Sequence, residues 1–322
     1  MGDGSRLVDH LPLDAPWGLA IDPSSRCNYS CRFCPTGTSG PDDPRQRGTM
    51  SFETFKHIID GLASDGIVVR SLKLWKDGEP LLNEDLPRFI RYAKEAGVTE
   101  EVRVNTNGSL LDTMAAQLVD AGLDWIMVSY TSPNDEVFRE YSGGAFAEKV
   151  ERNVALLREI RGDRPRPHIA VKICRFPAIT DADVEEFKRR FAGIADELIV
   201  HEDPMNWDNT GEQDFTLGKV AERERPRMAC PYPWYELNVN SDASVSICPV
   251  DWSLGTVVGD ATQETIGAIW NGERLAELRR MFVTRDFSAH PVCGECTYYH
   301  RHDDDIDEFV LRDAARPAQD GE

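Results

Sequence analysis

Gly18-Leu19-Ala20-Ile21-Asp22, followed by Cys27-Asn28-Tyr29-Ser30-Cys31-Arg32-Phe33-Cys34, reads as a short apolar strand that delivers three cysteines to one loop. Three thiolates on one loop can take three irons of a [4Fe–4S] cube, whereas most such cubes have four cysteine ligands. With three, one iron keeps an open coordination position, and an open position is where a metal centre binds substrate or cofactor. A zinc knuckle is the competing reading, and it needs a fourth ligand close by.

Beyond that loop, apolar runs alternate with helical patterns. Ser51 to Ser64 predicts a helix with Ser51 as N-cap, because Phe52, Phe55, Ile58, Ile59 and Leu62 share one face. Strands are expected at Ser71–Trp75, Val102–Asn105, Trp125–Ser129, His168–Arg175 and Leu198–His201. Helices are expected at Leu86–Ala96, Thr113–Ala121, Phe146–Ile160 and Val184–Phe191. Six β/α units in succession imply a parallel sheet with helical crossovers, either doubly wound or a barrel. No G-x-G-x-x-G follows the first strand and no Walker A loop is present, which lowers dinucleotide and NTP readings. In a barrel the chemistry lies at the carboxyl ends of the strands.

The chain has 322 residues, 41% of them hydrophobic, enough for a sizeable core. The formal net charge of -20 repels phosphate backbones, so no nucleic-acid partner is expected. It permits a cationic substrate without requiring one. No apolar run reaches the roughly 20 residues of a membrane helix, and no signal peptide is readable. A cytoplasmic protein with no membrane partner is expected. Eight cysteines in such a chain point to metal or redox chemistry rather than disulfides.

Cys-x3-Cys-x2-Cys with an aromatic before the last cysteine, at the end of the first strand, resembles the signature of radical S-adenosylmethionine (SAM) enzymes. The resemblance covers about Gly18 to His201 and implies a partial (β/α)6 TIM-like barrel. It also implies a [4Fe–4S] cluster on Cys27, Cys31 and Cys34 that binds SAM and forms a 5′-deoxyadenosyl radical. Asp77-Gly78-Glu79-Pro80 resembles the family's Gly-Gly-Glu-Pro stretch, which holds the SAM amino group, with Asp77 in place of the first glycine. Asn105-Thr106-Asn107-Gly108 resembles the motif after the third strand, although a plain Asn-Gly turn reads the same way. Ser129 matches a position that contacts the SAM ribose or carboxylate. The family also implies an external one-electron donor such as flavodoxin or ferredoxin.

Towards the back, Glu236–Asn240 and Ser244–Cys248 predict a β-hairpin, followed by helical segments near Thr265–Trp270 and Glu273–Phe282. Cys230, Cys248, Cys293 and Cys296 with this hairpin resemble the SPASM/twitch extension, a small α+β unit. Four cysteines there imply a second, auxiliary [4Fe–4S] cluster with every corner held by protein. A structural zinc site is the alternative. The expected division is an N-terminal segment at 1–16, the barrel at 17–203, a linker at 204–229, the cluster domain at 230–300 and an acidic tail at 301–322, fraying beyond Arg316.

The chain further resembles twitch-type carbinol dehydrogenases and epimerases of aminoglycoside and oligosaccharide antibiotic biosynthesis. Abstraction of a carbinol hydrogen from a glycoside or aminocyclitol is thereby implied. Ala170, Lys172 and Cys174 share one face of their strand. Lysine is costly in a dry core, so that face is expected to meet a wet lumen. Cys174 is then a candidate hydrogen donor for epimerisation, with packing as a small buried hydrophobe as the alternative. Glu202 and Asp203, in the loop from His201 to Asp208, are candidate carbinol-binding or proton-accepting acids. Trp207 is a candidate ring-stacking residue. Dehydrogenation and peptide maturation are the competing outcomes. A cyclase of the molybdenum-cofactor type ends in Gly-Gly, and this chain ends Asp320-Gly321-Glu322.

Overall fold

The computed structural model describes residues 6–38, 48–143, 146–201, 227–294, 296, 298–302 and 304–314. Six strands, β1 (Gly18–Ile21), β2 (Val69–Lys73), β3 (Thr99–Thr106), β4 (Trp125–Tyr130), β5 (His168–Cys174) and β6 (Glu197–His201), pair in parallel in chain order. The order never reverses, so successive right-handed crossovers place their helices on one face. A doubly wound sheet needs a reversal. The sheet therefore curls as a partial barrel with helices outside and an open lumen inside.

The outer layer is built as its sequence dictates. Helix α2 (Phe52–Ser64) starts at Ser51, whose hydroxyl accepts from Thr54 N–H at 3.1 Å. Its five predicted core residues are all buried, and Phe55 stacks on Phe89 of α3 (Leu86–Ala96) at 4.1 Å. Helix α4 (Leu111–Asp120) packs on α6 (Ala147–Arg161), and α7 (Asp181–Phe191) covers β5 and β6. Ile169, Val171 and Ile173 of β5 are fully buried beneath the helices, as the alternation predicts. The short helix α1 (Pro35–Thr38) follows the cysteine loop directly.

Three features differ from the sequence expectation. First, a helix absent from it, α5 (Asp135–Ser142), starts at Asn134, whose side chain accepts from the Glu136 and Val137 N–H groups. Its polar surface hides the helical period, but Phe138 and Tyr141 are buried. Second, the rear hairpin of β7 (Glu236–Val239) and β8 (Ser244–Ser246) is not a separate sheet. β7 pairs in parallel with β1, so it acts as a seventh barrel strand, and β8 and β9 (Val257–Asp260) extend the sheet antiparallel. Third, the acidic tail carries a helix that the sequence expectation does not mark out. Helix α10 (Asp307–Ala314) buries Val310 with the preceding Ile306 against Leu7, Val8 and Trp234, joining both ends of the chain in a small second core. Helices α8 (Ile266–Trp270) and α9 (Glu273–Thr284) complete the rear unit, and α8 packs on α2. Among the described residues no helix is long and apolar enough to cross a membrane.

Candidate active site

The cysteine loop after β1 is pinned from two sides. Ser30 N–H donates to Ser142 O at 3.3 Å and Arg32 N–H to Tyr141 O at 3.1 Å, so the end of α5 clamps it. Arg32 pairs with Glu140 at 2.7 Å and lies over the Tyr141 ring. On the other side the turn after β2 passes against the loop, with Glu79 N–H donating to Arg26 O at 2.8 Å. A Cβ on Gly78 would lie 2.3 Å from Arg26 O and 2.4 Å from Ser24 O, so only glycine allows this approach.

None of the eight cysteines forms a disulfide. Cys27, Cys31 and Cys34 lie near enough that each thiolate disfavours another, and burial pushes all three thiols up, Cys27 to about 12. Cys27 Sγ accepts from Tyr29 N–H at 3.4 Å, and backbone N–H groups of Thr36 and Gly37 point at the Cys34 sulfur. Buried thiols with N–H donors aimed at them lack only positive charge, which metal ions supply. This donor set fits an iron–sulfur cluster. Among the described residues no three His, Cys, Asp or Glu side chains could hold a single metal ion. Three thiols that each take a different iron do not need to converge in that way.

In the rear unit, Cys230 feels the charges of Cys248, Cys296 and Cys293. The rear four cysteines are thus brought together from three separate segments. Burial drives the Cys230 and Cys248 thiols upward, and Cys293 to about 12. Their surroundings are aromatic: Tyr232 stacks on Tyr235 at 5.4 Å and on Tyr298 at 5.9 Å.

A cavity of about 410 Å³ separates the two sets. Its front wall carries Cys27, Cys34, Asp77 and Gly78, and its rear wall Tyr232, Tyr298, Val250 and Trp252. Asn105, Lys172 and Cys174 also line it, as the strand alternation predicts for the last two. Burial pushes the Cys174 thiol up while the Lys172 ammonium pulls it partly back. The acidic surface is not repeated inside, since Lys73, Lys76 and Lys172 all face this space. Lys76 pairs with Asp77 at 2.6 Å, and Lys73 pairs with Glu236.

Glu79 is 2% exposed, and its carboxylate is fully engaged. It accepts from the Thr106 hydroxyl at 2.6 Å, Asn107 N–H at 2.7 Å and Leu81 N–H at 3.1 Å. Burial still dominates and pushes the carboxyl up to about 7. Glu79 therefore braces the turn at Asn105–Gly108 beside Cys27, with Pro80 opening a short 3-10 turn. Asn107 donates to Asn28 Oδ1 at 2.9 Å, and Ser129 separately donates to Asn105 Oδ1 at 3.2 Å. Glu202, Asp203 and Trp207 lie outside the described residues. Sequence reasoning missed Glu236 and Asn238, which line the cavity from β7.

A sequence profile of the Radical SAM superfamily matches residues 21–191, and one for SPASM, an iron–sulfur cluster-binding domain, matches residues 230–297. A probable GTP 3′,8-cyclase of Sulfolobus acidocaldarius is 33% identical over 225 residues, covering 66% of this chain and 69% of the relative. Another, of Metallosphaera sedula, is 36% identical over 144 residues, covering 44% of this chain but only 41% of the relative. Among solved structures, BtrN in complex with AdoMet and 2-DOIA superposes with a TM-score of 0.55 at 19% identity, covering 87% of this chain and 92% of that one. Streptococcus suis SuiB bound to S-adenosylmethionine gives 0.62 at 13% identity, covering 85% and 70%. The chain therefore belongs to the radical SAM superfamily, as an enzyme that works with S-adenosylmethionine, a [4Fe–4S] cluster that binds it and auxiliary iron–sulfur in a SPASM-type domain.

Proposed function

We propose that this enzyme inverts a carbinol carbon in a sugar or aminocyclitol unit of a natural product, with Cys174 as hydrogen donor. The observation that carries this is the place of Cys174, on the cavity wall beside Lys172 and across from Cys27 and Cys34. Burial keeps its thiol protonated, the form that has a hydrogen atom to give.

When bound at Cys27, Cys31 and Cys34, the cluster with SAM supplies a 5′-deoxyadenosyl radical. Asp77, Gly78, Asn105 and Ser129 are proposed to hold SAM, with Glu79, Pro80 and Asn107 supporting them. The substrate C–H breaks and its hydrogen leaves on 5′-deoxyadenosine. Cys174 then gives its S–H hydrogen to the opposite face of the carbon. The sulfur is left one electron and one proton short. An external one-electron donor, flavodoxin or ferredoxin, restores the electron and solvent the proton, with Cys230, Cys248, Cys293 and Cys296 proposed to hold the auxiliary cluster on that path. Glu202 and Asp203 are proposed to meet the substrate from the loop after β6.

The test is reconstituted enzyme with candidate glycosides in deuterium oxide, read by mass spectrometry. Epimerisation adds one deuterium at carbon. Dehydrogenation to a ketone removes two mass units, with Glu202 or Asp203 as the proposed proton acceptor. Cys174→Ala should still form 5′-deoxyadenosine but lose the deuterated epimer by at least tenfold. Full epimerisation by that variant with unchanged solvent hydrogen would overturn the assignment. A second reading, cyclisation of GTP, is favoured by the 33% identity to the Sulfolobus relative, and conversion of GTP in the same assay would establish it.

A further inference from the structure

β7 pairs with β1 in the register Ala20↔Asn238 and Gly18↔Glu236, and β1 pairs with β2 as Ala20↔Lys73 and Gly18↔Ser71. Residues at one level of a parallel sheet point to the same face. Asn238, Ala20 and Lys73 therefore form a row across three strands, and all three line the cavity. Lys73 reaches over β1 to the Glu236 carboxylate. It has room because a Cβ on Gly18 would lie 2.7 Å from Glu236 Oε2. Small residues in the middle and polar ones on both sides make a trough.

Asn238 is 0% exposed, and neither its Oδ1 nor its Nδ2 has a hydrogen-bond partner. Its backbone oxygen accepts from the Ser246 hydroxyl, but its side chain is unengaged. Buried amides are nearly always satisfied, because an unmet donor and acceptor each oppose folding. An unsatisfied amide on a cavity wall is accounted for by a ligand that meets both ends. Trp75, Trp252 and Tyr298 add aromatic surface to the same space.

We infer that Asn238 is a substrate-binding residue whose amide donates one hydrogen bond and accepts another from adjacent hydroxyl or amino groups on a ring. The ligand class is a vicinal diol or amino alcohol. The Lys73–Glu236 pair beside Asn238 offers the same donor–acceptor alternation to the next ring substituent, and the aromatic faces cover the C–H surface of the ring. The inference rests on the carbinol reading above and names which strand recognises that substrate.

The test is isothermal titration of anaerobic, reconstituted enzyme with SAM, using 2-deoxystreptamine and, separately, GTP. The parent chain should bind 2-deoxystreptamine saturably. Asn238→Ala, with unchanged iron content, should bind it at least tenfold more weakly. Asn238→Leu, which keeps the branched shape but loses both donor and acceptor, should bind as weakly as the alanine variant. Parent-like affinity in either variant, no saturable cyclitol binding by the parent, or Asn238-dependent binding of GTP instead would each overturn the inference. Binding is read without turnover. A chain that binds the cyclitol through Asn238 but forms no 5′-deoxyadenosine therefore contradicts the radical reading and leaves this residue's role standing.

Discussion

The two cysteine sets reach similar ends by opposite routes. The front three lie within eight consecutive residues, and one loop fixes them with local hydrogen bonds from Tyr29, Thr36 and Gly37. The rear four come from three segments that meet only when β7, β8 and the stretch around Cys293 are in place. Local geometry makes a site that tolerates change elsewhere in the chain. Assembled geometry makes a site that reports on the whole rear unit, which has only a small core of its own.

Single cysteine variants should separate the two most strongly. Cys31→Ala is expected to cut 5′-deoxyadenosine formation more than about a hundredfold while lowering the melting temperature little, since its loop is held independently. Cys248→Ala should do the reverse, retaining SAM cleavage without substrate but losing roughly 5–10 °C in melting temperature. Iron counting, product chromatography and thermal melts on both proteins decide the matter. Equal melting losses would erase the contrast.

A milder perturbation probes how the front loop is clamped. Asn134→Ala removes the cap of α5 and should cost about 1 kcal/mol of stability. Because α5 holds Ser30 and Arg32, the variant should also lose iron faster to a chelator from the front site than from the rear. Identical release rates from the two sites would show that the clamp is not needed.

A further effect is expected in pH. Burial raises the Glu79 carboxyl from 4.5 to about 7, so the folded state holds this proton more tightly than the unfolded chain. Its stabilising contribution is complete below about pH 4.5 and is lost as pH rises through about 7. The urea midpoint of the parent chain, measured relative to Glu79→Gln, should fall across that window and stay level above it. A difference independent of pH would contradict the assignment.

Much of the barrel was legible because its signals are local. The β/α alternation, the α2 face from Phe52 to Leu62 and the spacing of Cys27, Cys31 and Cys34 all lie within short windows. Helix α5 escaped notice because Asp135, Glu136, Arg139 and Glu140 mask the apolar pair Phe138 and Tyr141. The signals that could have found it were Asn134 as cap and Gly143 as stop. Ile306, Phe309 and Val310 at helical spacing likewise marked the tail helix within an acidic stretch. Asn238 and Glu236 were not legible, because alternation within β7 cannot reveal that β1 is its neighbour. Only that long-range pairing turns two ordinary hairpin residues towards the cavity.

That pairing also sets the order in which the chain can be completed. β1 precedes every other strand of its sheet in the chain, yet one of its two edges pairs with a strand that begins only at Glu236. Until the rear unit emerges, the backbone donors and acceptors of Gly18 to Ile21 along that edge have no sheet partner, and an open apolar edge is a template for pairing between chains. A truncation before residue 230 would leave the edge open permanently. Aggregation of such a fragment during expression would thus reflect an unfinished sheet rather than a missing cluster.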